Sequence, residues 1–181
     1  AEEDLKAALT ESAPAAFAKQ IDSDIMALQS DFTTYTALDA TAGMTSDILT
    51  EAFYQLANAE VNVDNPNDIS WAFHWKQYPV LKKIAGISEA QITGESGGGI
   101  LKFKLPDVLG APIFFSSQVA SAANEHKNML FHREALACGI QKNFNMEQLA
   151  RVRKSTPYSA DMMYGVKSVR LTHGIVLRTA V

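Results

Sequence analysis

The eight residues ISWAFHWK, positions 69–76, constrain the fold more than any other stretch. Ile69, Trp71, Phe73 and Trp75 fall on one side of an extended chain, and Ser70, Ala72, His74 and Lys76 on the other. Period two with three aromatics predicts a β-strand with one face in a core. Such a strand needs partners, and the chain has the material for them. Its 181 residues are 47% apolar, enough for one ordinary domain or two small ones with a sizeable core.

A second periodicity lies upstream. Phe17, Ile21, Ile25, Leu28 and Phe32 recur at steps of four, four, three and four, which is one face of an amphipathic helix. Ser12 can cap it, and Pro14 is tolerable in its first turn. The pattern predicts a helix over 13–30, about 27 Å long, with the segment before Pro14 a separate turn or a kinked helix end. TTYTALDATAG then reads as a linker or a sheet-edge excursion. In TSDILTEAFYQLANAE, Ser46 can cap a further helix and Asp47 suits its positive start. Its stripe is Ile48, Leu49, Ala52, Phe53 and Leu56.

VNVDNPND is turn chemistry, and YPVLKKIAG reads as a short helix with Pro79 near its start and Gly86 past its end. Leu101, Phe103 and Leu105 alternate with Lys102 and Lys104, as in a half-exposed strand. A turn at Pro106 and Asp107 and a Gly-Ala-Pro bend lead to a short buried strand over 113–115. ASAANEHKN reads as a polar connection, and MLFHREALACGI starts as strand and turns helix-compatible from about Arg133. Near the end Met162, Met163, Val166 and Val169 fit a helix, while Gly165 and the β-branched residues favour strands. GIVLRTAV reads as a final strand. Strand–helix–strand units are few, so the class is α+β rather than doubly wound α/β.

The net charge of −4 argues against general nucleic-acid binding through a basic surface. Cys138 is the one cysteine, so no internal disulfide forms, which suits a reducing cytosol. No apolar run approaches the roughly 20 residues of a spanning helix, so no membrane role is expected. The opening AEEDLKAALTE lacks a signal peptide's basic start. It begins without Met on helix-forming residues, so a piece of something longer is expected.

ITGESGGGILKFKL places four glycines within six residues, 94–99, and raises the question of a phosphate cradle. A Walker-type loop needs Lys and then Ser or Thr after its last glycine, but Ile100 and Leu101 follow Gly99. A dinucleotide loop must open a helix, and this one opens a strand pattern. A mobile turn fits better. His74, His126, His132 and His173 are scattered without metal-ligand spacing, so neither a metal nor a cofactor is expected. Cys138 between Ala137 and Gly139 reads as a small buried residue. The enzymatic alternative is a nucleophilic Cys138 served by His126 or His132. Asp22 and Asp24 lie about 200° apart on a helix and suit a solvated or subunit-facing role, not a shared metal. RVRKS, 151–155, is the one basic cluster and reads as a solvated or inter-subunit face. No catalytic site is expected.

Taken in order, these pieces resemble the major capsid protein of tailed bacteriophages, the Hong Kong ninety-seven-like fold. SDILTEAFYQLANAEV with ISWAFHWKQYPVLKKIAG resembles the family's helix, strand and short helix. GGGILKFKLPDVLGAPIFFSSQV resembles its glycine-containing loop and L-G-x-P strand, here Leu109, Gly110, Pro112 and Ile113. NMLFHREALACGIQKNF and MMYGVKSVRLTHGIVLRTAV resemble the closing segment and look most like the short-tailed branch. The resemblance covers most of the chain from about Ser12.

The resemblance implies a P-domain part with the spine helix over 1–32, an A-domain over 33–141 and a return to the P-domain over 142–181. The family's N-terminal arm and E-loop have no counterpart, and residue 1 falls near where the E-loop would end. The implied function is a shell subunit, without enzymatic activity, that self-assembles into hexamers and pentamers around double-stranded DNA without reading its sequence. Portal, scaffold and decoration proteins are the other implied partners. The implied location is the virion capsid, assembled in the bacterial host cytoplasm. An encapsulin-type shell protein is the neighbouring alternative.

Overall fold

The computed structural model describes residues 2–32, 38–84, 105, 107–119, 121–122, 125–150 and 157–180. The glycine loop at 94–99, the basic cluster at 151–155 and all but Leu105 of the strand expected over 101–105 lie outside these residues.

The order is α1 (Glu2–Ala27), a 3-10 turn (Leu28–Asp31), β1 (Leu38–Ala40), α2 (Ser46–Asn58), a 3-10 turn (Pro66–Asp68) and β2 (Ile69–His74). A 3-10 turn (Trp75–Gln77), α3 (Tyr78–Leu81), β3 (Ile113–Ser116), β4 (Ser121–Ala122) and β5 (Glu125–His132) follow. The chain closes with β6 (Leu136–Gln148), β7 (Tyr158–Ser168), a 3-10 turn (Leu171–His173) and β8 (Gly174–Ala180).

The main sheet runs β1-β8-β5-β2-β3, with β4 beside β5. β1–β8 and β2–β3 are parallel, while β2–β5 and β5–β8 are antiparallel. The alternation expected in β2 is present and both its faces are covered. Ile69, Trp71 and Phe73 enter the larger cluster with Leu49, Ala52 and Leu56 of α2, Leu130, Ile175 and Leu177. Ala72 joins Phe32, Met129, Ala135 and Val176 in a second cluster, against which Met26 packs. The sheet therefore carries α2 on one face and the end of the α1 segment on the other. β2 ends at His74, where Trp75 turns away and is exposed.

α1 starts earlier than the periodicity predicts and runs through Pro14 without a break, so the separate N-terminal turn is not observed. Its 26 residues span about 39 Å. Proline removes one i→i−4 hydrogen bond, and the Ala-, Lys- and Glu-rich flanks favour helix strongly enough to continue it. α2 forms over the expected segment, but its cap is Thr45, whose Oγ1 accepts from the Ile48 N–H at 3.3 Å. Ser46 lies inside the first turn. Thr45→Ala is therefore expected to cost about 1 kcal/mol in denaturant unfolding, and Ser46→Ala less than about 0.5.

Three further expectations are overturned. The helix anticipated from Arg133 is absent: residues 133–135 turn, and Leu136–Gln148 is a strand. Its leucine, alanine and methionine content suits helix, but pairing with β7 decides. The polar connection ASAANEHKN includes β4 and half of β5, because buried partners satisfy Asn128. Its Oδ1 accepts from the His74 N–H at 2.8 Å, and its Nδ2 donates to Thr179 Oγ1 at 2.8 Å. Finally, β3 is an edge strand rather than a buried one, with Phe114 56% exposed.

β6 and β7 form a separate antiparallel ribbon. The domain boundary expected at 141 falls inside β6, and β8 lies in the main sheet. α1 and the 3-10 turn after it lie on the ribbon through three ties spaced seven residues apart, close to two helical turns. Phe17 meets Phe144 edge-on at 5.5 Å, Asp24 accepts from the Tyr164 hydroxyl, and Asp31 accepts from Ser168 Oγ at 2.5 Å. Asp24 is thus an intramolecular anchor rather than a solvated or subunit-facing group, while Asp22 is exposed.

Candidate functional site

Among the described residues, Cys138, His126 and His132 do not converge on one site. Cys138 is exposed on β6, in register with Val166 of β7, rather than buried as its neighbours suggested. Exposure follows from its place on a ribbon strand that α1 covers only in part. His126 and His132 occupy the two halves of β5 in the main sheet, and neither hydrogen-bonds to Cys138. No group of three His, Cys, Asp or Glu side chains comes together among the described residues. No helix among them is long and apolar enough to cross a membrane.

The histidines are nevertheless paired in space. His74 stacks on His126 with ring centroids 3.8 Å apart, and His132 meets His173 edge-on at 5.8 Å. Burial holds His74 below the ordinary histidine range, with Lys76 adding to the effect. Burial likewise lowers His126, followed by His74 and Lys76. His173 is lowered by burial, Arg170 and His132, against a raising contribution from Glu134. Tyr164 is held above the usual phenol range, first by its hydrogen bond to Asp24 and then by burial. Each histidine pair joins distant segments, so linear spacing carries no signal of it.

What the surface does present is apolar area on several separated faces. At the sheet edge, Val108 and Ala111 exchange two 3.0 Å hydrogen bonds around Leu109 and Gly110, whose φ values are 53° and 78°. These are the dihedral signs of a type I′ turn, which Gly110 accepts freely and Leu109 does not. Leu109 is held there with its side chain exposed, near the start of β3 and its exposed Phe114. Trp75 stacks on Phe115 at 5.1 Å and is itself exposed. On the ribbon, Ile140 and Met163 are 52% and 53% exposed, and Val169 and Leu171 follow in the connection to β8. Contiguous exposed apolar side chains mark contact surfaces, whereas single ones are ordinary. Periodicity separates core from surface along one element, but it does not say which strand ends up at a sheet edge.

No family model matches the chain, and no curated protein matches it. Solved structures do. A chain from Mycobacterium phage Che8 aligns with TM-score 0.71 at 22% identity, covering 94% of this chain and 62% of that one. The capsid of the cyanophage P-SCSP1u aligns with TM-score 0.73 at 17% identity, over 96% and 65%. The mature capsid of bacteriophage PhiM1 aligns with TM-score 0.72 at 10% identity, over 98% and 64%. The holo-SrpI encapsulin complex from Synechococcus elongatus PCC 7942 aligns with TM-score 0.62 at 12% identity, over 93% and 63%. This chain spans less than two thirds of the length of each. The fold is the α+β Hong Kong ninety-seven-like fold of phage capsid chains, as the order of elements implied.

Proposed function

We propose that the protein is a shell subunit of a phage capsid, whose work is self-association into hexamers and pentamers around double-stranded DNA. The observation that carries this reading is the likeness over 94–98% of the chain, at TM-scores of 0.71–0.73, to chains from phages, two of them in structures described as capsids. The separated apolar faces support it, because a subunit of a closed shell must meet several neighbours at once. Mild acidity suits a container that does not grip its DNA.

In this reading residues 1–32 are the P-domain part, with α1 as its spine helix, and 33–141 form the A-domain, which holds most of the main sheet. The chain from 142 returns to the periphery along the ribbon before β8 rejoins the sheet. Cys138 has no catalytic part, and Cys138→Ser is expected to leave particle yield unchanged. Portal, scaffold and decoration proteins are partners by the same reasoning, and assembly takes place in the host cytoplasm.

The test is assembly of the full-length protein, followed by light scattering and electron microscopy. Closed particles or rings are expected. A stable monomer at high concentration, with or without a scaffold protein, would overturn the reading. Phe114→Asp and Met163→Asp each place a charge on an exposed apolar face. Both are expected to shift unfolding by less than about 0.5 kcal/mol while lowering particle yield at least tenfold. The encapsulin likeness supports a second reading, a shell around protein cargo. Particles purified from the native source separate the two by holding either DNA or a cargo protein.

A further inference from the structure

The His74–His126 pair sits where β2 gives way to the Trp75–Gln77 turn. The two rings are nearly parallel, 9° apart. His126 is 4% exposed, and neither of its ring nitrogens has a hydrogen-bond partner among the described residues. His74 holds the turn: its Nδ1 accepts from the Lys76 N–H at 3.2 Å, while its own backbone N–H is bonded to Asn128. One residue on, Gln77 is buried and its Nε2 donates to the Ala180 carbonyl at 3.3 Å.

The charges around the pair all have one sign. Lys76 lowers both rings and His74 lowers His126, with no carboxylate raising either. From β8, His126 faces Thr179, and from β4 it faces Ser121. Glu125 and Lys127 flank His126 within β5, and strand alternation sends both to the opposite face. Arg178 lies in register with Lys127, not with His126.

We propose that this pair is an acid-sensitive latch, which holds the Trp75–Gln77 turn and the Tyr78–Leu81 helix against the main sheet while both rings are neutral and releases them when the rings take up protons. Protonated at Nδ1, His74 has no lone pair left for the Lys76 N–H, so the turn loses its cap. Protonated, His126 places a charge in a buried site already facing a cation, with nothing to pair it. The unfolded or opened segment binds these protons at the ordinary histidine value of 6.5, while burial depresses the closed pair. The latch is therefore fully closed above that value and weakens as pH falls below it, until the depressed closed-state values are reached. What opens is one wall of a surface cleft lined by Trp75, Lys76, Gln77, Pro79, Val80 and Ala180.

The other histidine pair provides an internal contrast. His132 Nδ1 also accepts from a backbone N–H two residues on, that of Glu134, at 3.3 Å. There, however, the Glu134 carboxylate favours the charged form of His173. Acid is thus met by a countercharge at one end of β5 and by none at the other.

Hydrogen exchange on the full chain tests the latch, with histidine C2–H resonances followed in parallel. Between pH 7.5 and 5.0, protection of the amides of Lys76, Gln77, Tyr78, Val80 and Leu81 is expected to fall at least about tenfold, while Leu130 and Ile175 keep theirs. In His74→Asn/His126→Phe, asparagine retains an acceptor for the Lys76 N–H and phenylalanine retains the stack, and neither titrates. That variant is expected to keep its protection at pH 5.0. Equal loss in variant and wild type overturns the latch. If the variant does not fold, the wild type decides alone: a His126 that titrates near 6.5 with the Lys76–Leu81 amides still protected also overturns it. The readout is intramolecular, so it stands whether or not the protein assembles.

Discussion

Replacing Trp71 with alanine is expected to lower the unfolding free energy by about 3–5 kcal/mol. Trp71 is fully buried at the middle of β2, in register with Leu130 of β5 on one side and Ile113 of β3 on the other. Its ring stacks on Phe73 with centroids 5.6 Å apart, and its indole N–H donates to the Val108 carbonyl at 3.1 Å. Truncation removes the largest fully buried side chain of the core, leaves a cavity in the larger cluster and takes one of two donors from that carbonyl, which still accepts from the Ala111 N–H. Trp71→Phe separates these effects. It keeps most of the packing and loses only that one hydrogen bond, so a cost of about 0.5–1.5 kcal/mol is expected. Urea unfolding of both variants measures the difference. An alanine variant within about 1 kcal/mol of wild type would mean that β2 is not central.

The same residue shows what sequence can carry. Trp71 was legible because period two places it between Ile69 and Phe73 on one face, and strand geometry turns that period directly into burial. α2, β8 and the apolar stripe of α1 were legible for the same reason. Elsewhere the local signal is divided or points the wrong way. Met162, Met163, Val166 and Val169 fit a helix while Gly165 and the β-branched residues favour strands, and Tyr158–Ser168 is a strand, since β6 supplies hydrogen-bond partners that no local pattern encodes. Glu125–Asn128 reads as a loop because polar residues in a strand look like exposure. Asn128 is instead fully buried, satisfied by His74 and Thr179 from two other strands. The proposed contact surfaces were illegible in detail, because the outward turn of Phe114 depends on β3 being last in the sheet. The family resemblance supplied the architecture where the periodicities stopped.

Gly174→Ala is expected to cost about 1–3 kcal/mol, although its backbone suits any residue. Its φ is −143° and ψ 145°, ordinary extended values, so the requirement for glycine here is steric. A Cβ at this position would stand 2.5 Å from Cε2 and Cζ of Phe32 and 2.6 Å from Cδ2. The ring has no room to retreat, being 5% exposed among Ala72, Met129, Ala135 and Val176. Phe32 closes the 3-10 turn at the end of α1, and Gly174 opens β8 in the main sheet. The contact is therefore a joint between the proposed spine and the proposed A-domain sheet, and strain in it acts on both. Phe32→Ala alone is expected to cost about 3–5 kcal/mol by opening a cavity. In the double variant the alanine methyl at 174 enters that cavity without a clash. The two changes should then cost less together than their sum by about 1–3 kcal/mol. Strict additivity in denaturant unfolding would show that the ring does not lie over Gly174, and would remove the reason for a glycine at the start of β8. The same cycle read by particle yield reports whether the joint matters to assembly. If the spine must keep a fixed angle to the sheet for shells to close, Gly174→Ala lowers yield at temperatures where the subunit is still folded, and truncating Phe32 in the same chain does not restore it.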